Sequence, residues 1–239
     1  DTETKSVVIE FLGPEFRNWK AQLLAGEVDT QTANRVGDML GRIHSATADR
    51  SDIATRFATD DTFYAIRLEP YLVESSRNHP ELAEQLLMLV TRTGETRRVL
   101  VHGDLSPKNI LVGPHGPVLI DAECAWFGDP AFDVAFCLNH FLLKAAHLPQ
   151  HAELLMACFS TMTRAYFAHV DWEPKGALEA RTASLLPGLT LARVDGRSPV
   201  EYLAGRARDR VRALAIKLLH DSPTSLDRIA VSWGRELRG

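Results

Sequence analysis

The sequence predicts a mainly α chain with one small β-hairpin, an α+β arrangement whose strands are few and short. Apolar residues recur at helical spacing over most of its length, as with Val36, Met39, Leu40 and Ile43. Short apolar runs break that pattern at 99–101, 110–112 and 118–120, and a Gly-Pro-His-Gly turn joins the last two. Asp129-Pro130 then sets a capping carboxylate and a proline at the start of a long apolar segment, the usual opening of a buried helix.

Taken in order, "SVVIEF" at 6–11 reads as a strand stopped by Gly13-Pro14. Helical spacing predicts helices over about 15–24, 30–46, 62–73 and 80–91. Two strands follow, Val99–Val101 and Ile110–Val112, and the third, Val118–Ile120, closes the hairpin. After the Asp129 cap the chain reads as helical to its end, over about 150–169, 174–184, 199–219 and 224–237. There is no internal repeat or low-complexity linker. The most apolar long stretch, Phe132 to Leu148, carries Asp133, Asn139, His140 and Lys144, so it reads as a buried helix and not as a membrane span.

Composition bounds the function classes. With 239 residues, 45% hydrophobic and 24% charged, the chain has material for a sizeable core in one large domain or two small ones. A net charge of −4 gives no general attraction to nucleic acid or to an anionic membrane. The three cysteines, Cys124, Cys137 and Cys158, form neither a metal pattern nor a disulfide ladder. The opening "DTETKSVVIEF" has no basic stretch followed by a long apolar run. The expectation is therefore a cytoplasmic protein with no nucleic-acid or membrane partner.

The chemistry concentrates in "VLVHGDLSPKNILVGPHGPVLIDAE" at 99–123. Asp104 follows a strand, Asn109 starts the next, and Asp121 ends the hairpin's second strand. Three oxygen-bearing side chains thus converge at one end of a hairpin, a donor set suited to a hard cation such as Mg²⁺. Phosphoryl transfer uses such parts: a carboxylate that positions the attacking hydroxyl, and an Asn and an Asp that hold metal on the phosphates.

These residues carry a resemblance. His102-Gly103-Asp104-Leu105-Ser106-Pro107-Lys108-Asn109, then Leu119-Ile120-Asp121, then Gly128-Asp129-Pro130-Ala131-Phe132-Asp133, resemble the aminoglycoside phosphotransferase and choline kinase superfamily, which shares its fold with the protein kinases. Gly41-Arg42-Ile43-His44-Ser45 resembles that family's helix ahead of the catalytic region. The likeness covers most of the chain and weakens after about residue 150. It implies Asp104 as catalytic base, Asn109 and Asp121 as metal ligands, and Mg²⁺ and ATP as cofactor and phosphoryl donor. It implies Asp133 as a brace of the catalytic loop, with His102 structural beneath it.

Departures from the pattern shape the expectation. Protein kinases carry Arg where Gly103 stands, and there is no room for an activation segment between Asp121 and Asp129, so a small-molecule hydroxyl substrate is favoured over a peptide. Lys108 either touches a phosphate or is solvated. Only six residues precede Val7, so the chain reads as a hinge plus a kinase-like C-terminal lobe, with no N-terminal lobe in the sequence. The hinge strand and linker span 1–13, where backbone groups near Glu10 and Leu12 would meet the adenine. The lobe spans 14–239, with its catalytic loop at 102–109, its metal-binding segment at 121–123 and a helical substrate-binding region beyond.

For the acceptor, Trp126 and Phe127 beside Glu123 suggest a cationic alcohol or amino sugar held by cation–π and charge pairing; equally, Trp126, Phe127 and Phe63 are core and the acids are surface. The Asp60-Asp61-Thr62-Phe63-Tyr64 and Arg193–Ser198 stretches are further, weaker clues. Choline-like alcohols, aminoglycosides and methylthioribose-like sugars all fit. Two other readings stand beside the kinase. A metallophosphoesterase would want a Gly-Asn-His block that is missing here, and a non-catalytic kinase remnant would have no need of the intact Asp104, Asn109 and Asp121.

Overall fold

The computed structural model describes residues 10–238. A helical body is built around one helix buried on all sides, α7 (Pro130–His147), whose residues from Pro130 to Ala145 are all out of solvent. Asp129 caps it by accepting from the Ala131 N–H at 3.0 Å, and Pro130 opens it. The polar interruptions Asp133, Asn139, His140 and Lys144 are buried with the rest. No helix among the described residues is long and apolar enough to cross a membrane.

Around α7 pack α8 (Ala152–Ala168) and α9 (Lys175–Asp195), with α10 (Gly205–Asp221) and α11 (Leu226–Arg238) outside them. α2 (Thr30–Thr47), capped by Asp29, packs along α8. The two helices approach closely because α2 carries Gly37, where a Cβ would stand 2.4 Å from the Met162 carbonyl. The predicted helix over 15–24 is shorter, α1 (Trp19–Leu24), and α3 (Ser51–Arg56) is an addition. Where a helix was expected over 174–184, α9 runs on through Pro187 to Asp195, because Gly188 fits against Leu72, Leu86 and Leu89 and the packing holds the turn together.

The region predicted as one helix over 62–73 is a short α4 (Asp60–Phe63) followed by a π-helical segment, Tyr64–Val73, leading into α5 (Glu74–Asn78). Pro70 lies inside it and has no N–H to give, so the wider turn accommodates a residue that an α-helix interior excludes. After a short 3₁₀ turn, α6 (Ala83–Glu95) completes this side.

Two small antiparallel sheets carry the functional loops. One has the order β1 (Arg17–Asn18), β3 (Ile110–Gly113), β4 (Gly116–Leu119), in which Ile110 faces Leu119 and Gly113 faces Gly116. The other pairs β2 (Val99–Val101) with β5 (Trp126–Gly128), Val101 opposite Trp126. The hairpin expected at 110–112 and 118–120 is present, with its second strand starting two residues earlier. The expected hinge strand at 6–11 lies mostly outside the described residues. Its described end, Glu10 and Phe11, is exposed and not in a strand.

Candidate active site

The loop from His102 to Asn109 leaves β2 and enters β3, and it is held from beneath by Asp133. That buried carboxylate accepts from the His102 N–H at 2.6 Å and the Gly103 N–H at 2.9 Å. His44 of α2 stands on the same carboxylate at 3.4 Å and meets the Tyr166 hydroxyl at 2.9 Å through its other nitrogen. The buried charge thus spends its lone pairs on fixed donors, which is what makes its burial tolerable.

Gly103 has to be glycine. Its φ is +78°, and a Cβ would lie 2.5 Å from the Cys124 carbonyl. The turn directs His102 toward the hairpin: its Nε2 donates to the Ile120 carbonyl at 3.1 Å and its Nδ1 accepts from the Asp104 N–H at 3.3 Å. This pair of partners assigns the Nε2–H tautomer. His102 therefore ties the loop to the residue before Asp121.

Asp104 is buried, with Oδ2 at 2.9 Å from both Arg67 and Lys108, while Oδ1 makes no hydrogen bond to the described residues. Lys108, read from sequence as a phosphate contact or a solvated side chain, is exposed, and its ammonium pairs with Asp104. Asn109 donates from Nδ2 to the Asp104 carbonyl at 3.0 Å, leaving Oδ1 as its acceptor end. The Ile120 N–H donates to the Asn109 carbonyl at 3.0 Å, continuing the hairpin ladder past Leu119. The loop is also anchored from outside: Asn18, which caps α1, donates to the Lys108 carbonyl at 2.7 Å.

Asp121 follows with φ +65°, a left-handed conformation that a non-glycine residue adopts at some cost, and its side chain is exposed. Asp121, Glu123, Asp104 and Arg67 all act on Cys124. Its thiol is pushed up first by burial, with Arg67 opposing and the three acids adding to the shift. The His102–Ile120 and Ile120–Asn109 hydrogen bonds make the loop and the hairpin end one neighbourhood. As a donor set, Asn109 Oδ1 and the Asp121 carboxylate are hard oxygens. They fit Mg²⁺, which takes one or two carboxylates plus substrate phosphates and keeps its waters. No cluster of three His, Cys, Asp or Glu side chains at metal-holding range is present among the described residues.

The pocket suggested by Glu123 and Trp126 is corrected. Trp126 is 1% exposed: its ring stacks on Phe63 at 4.1 Å, the Arg97 guanidinium covers it at 4.7 Å, and its Nε1 donates to Asp60 at 2.9 Å. A ring so fully contacted belongs to the core and has no face for a ligand. Glu123 is exposed. The cavity that Asp104 does line, of about 190 Å³, lies elsewhere and is walled by Tyr71, Phe136, His140, Lys144, Arg193 and Tyr202, among others. Arg193 and Ser198 of the weaker sequence clue line it, and so do His140 and Lys144, two of the polar interruptions of the apolar segment. Arg67 had no signal in the sequence: it sits on the π-helical segment, 37 residues from its partner.

A model of the phosphotransferase enzyme family matches residues 16–167. Two methylthioribose kinases are similar to this chain. That of Klebsiella pneumoniae (strain 342) is 26% identical over 200 residues, which cover 72% of this chain and 49% of the relative. That of Erwinia tasmaniensis is 28% identical over 158 residues, covering 55% of this chain and 39% of the relative. The chain spans about half the length of the curated relatives it matches.

Proposed function

Since the chain belongs to the phosphotransferase enzyme family, we propose that it transfers the γ-phosphoryl group of ATP to a hydroxyl of a small molecule, with Asp104 as the base. The observation that carries the reading is the Asp104 carboxylate, pinned at Oδ2 by two cations and free at Oδ1 beside a cavity. The methylthioribose kinases among the relatives support a small-molecule acceptor.

In this mechanism Asp104 Oδ1 accepts the hydrogen bond of the acceptor hydroxyl and aligns its oxygen on the γ-phosphorus. A bond forms from that oxygen to phosphorus, the bond to the β–γ bridging oxygen breaks, and the hydroxyl proton ends on Asp104. Arg67 and Lys108 hold the carboxylate against rotation. Asn109 and Asp121 are the residues that would hold Mg²⁺, which when bound offsets the charge of the phosphates. Asp133 and His102 keep Asp104, Asn109 and Asp121 in register through the backbone. Backbone groups near Glu10 and Leu12 are the proposed adenine contacts.

The test is a pair of variants in ADP-release and nucleotide-binding assays. Asp104→Asn lowers turnover by roughly 10²–10⁴-fold with nucleotide affinity nearly unchanged. Asp121→Ala loses metal-dependent nucleotide affinity. Full activity in Asp104→Asn removes Asp104 from the mechanism.

A further inference from the structure

We propose that the cavity beside Asp104 receives an acceptor bearing an anionic group, a hydroxylated carboxylate, and not a cationic alcohol or amino sugar; this rests on the phosphotransferase reading and names the acceptor class of the same site.

The charges lining the cavity carry the inference. Four cations line it, Lys20, Lys108, Lys144 and Arg193, against two acids, Asp104 and Glu201. Lys108 is paired with Asp104 at 2.9 Å and Lys20 with Glu201. Arg193 and Lys144 remain, with no acidic partner among the described residues. Arg193 donates only to neutral oxygens, the Ser198 carbonyl and hydroxyl and the Tyr71 hydroxyl. Its Nε is buried with no partner among the described residues.

Lys144 is fully buried, its Nζ makes no hydrogen bond to the described residues, and it stands over the Tyr202 ring at 5.2 Å. Both ring nitrogens of buried His140, the Tyr202 hydroxyl and the Ser106 hydroxyl are likewise buried and have no partner among the described residues. Folded chains leave few buried polar groups unsatisfied, because each costs its full desolvation. Here five side chains around one cavity share that condition, and a bound group completes them.

The kind of group follows from their chemistry. Arg193 is a pure donor whose guanidinium fork matches a carboxylate, and Lys144 is one as the ammonium. An ammonium offers them nothing to accept with and adds a further positive charge. The field of the site agrees: burial pushes the Lys144 ammonium down to about 7, with Lys20 and Arg193 adding to the shift and Cys137 and Glu201 opposing it. His140 is held well below its usual range by burial and by the same cations. An acceptor with its carboxylate on Arg193 and Lys144 places its hydroxyl toward Asp104, the opposite charge on the wall.

The experiment measures binding to the chain without nucleotide, by calorimetry and ligand-observed NMR. The probes are 3-hydroxypropanoate, 4-hydroxybutanoate and 5-hydroxypentanoate, each beside its terminal diol and its amino alcohol. The expected result is binding of at least one hydroxy acid, with its amino alcohol tenfold or more weaker. Lys144→Met and Arg193→Met, shown folded by circular dichroism, each lose tenfold or more of the acid affinity and leave the diol unchanged. Amines or diols binding as tightly as the acids, acid affinity unmoved in both variants, or no probe binding at all overturns the proposal. A parallel phosphate-transfer assay with ATP and Mg²⁺ separates the two readings. Acid binding with no transfer to any acceptor counts against the kinase alone, and transfer to amino alcohols in preference to acids overturns the acceptor class alone.

Discussion

Arg67 Nη2 stands 2.9 Å from Asp104 Oδ2, both side chains nearly out of solvent, and the same guanidinium takes the Gly103 carbonyl through Nε. One side chain from a π-helical turn therefore clamps the loop backbone and its carboxylate together. Lys108 holds the carboxylate from the solvent side.

Removing Arg67 leaves Asp104 buried with Lys108 alone. Arg67→Ala is expected to cost about 1–3 kcal/mol, below the loss seen when a fully buried pair is broken. Urea denaturation measures it, and an unchanged midpoint contradicts the clamp. Arg67→Lys keeps the charge but loses the two-point hold, so its recovery is partial.

Asp133→Asn preserves shape while exchanging one accepting oxygen for a donor. Both Asp133 oxygens accept backbone N–H groups, so one donor is left facing another. A loss of about 2–4 kcal/mol follows from charged hydrogen bonds and an unsatisfied group. Hydrogen exchange at the His102 and Gly103 amides quickens in the variant, and equal protection refutes the brace.

Gly103→Ala meets both a left-handed backbone and the Cys124 carbonyl 2.5 Å from the new Cβ. The expected cost is about 2 kcal/mol or more. A melting temperature equal to the parent's contradicts it.

Lys144 ties stability to pH. Its ammonium is pushed down to about 7 from an ordinary 10.5, so between those values the unfolded chain binds the proton and the folded chain does not. This group's contribution to stability therefore rises with pH across that window, and its cost is fully present below about 7. Lys144→Met removes the cost. The variant is expected to be more stable at pH 7 by an amount on the order of 1–4 kcal/mol, with the gap to the parent closing as pH rises toward 10. A gap that is constant with pH removes Lys144 from the titration.

The sequence by itself determined the elements with strong local signals. The Asp129-Pro130 cap, the apolar run of α7, the 110–119 hairpin and the loop bearing Asp104 and Asn109 are written in periodicity, turn chemistry and residue spacing. These depend on neighbours within a few residues, and local propensity states them directly. What only the tertiary structure decided were contacts across long separations. Arg67 reaches Asp104 from a segment whose π-helical turn no periodicity marks, and Trp126 joins the core because Phe63 and Arg97 close over it. The polar breaks in α7 were visible in the sequence as exceptions to an apolar run. Only the packing of α1, α7, α9 and the 198–202 segment turned two of them, His140 and Lys144, into the wall of a cavity beside Asp104, because a pocket exists only between elements that the fold has brought together.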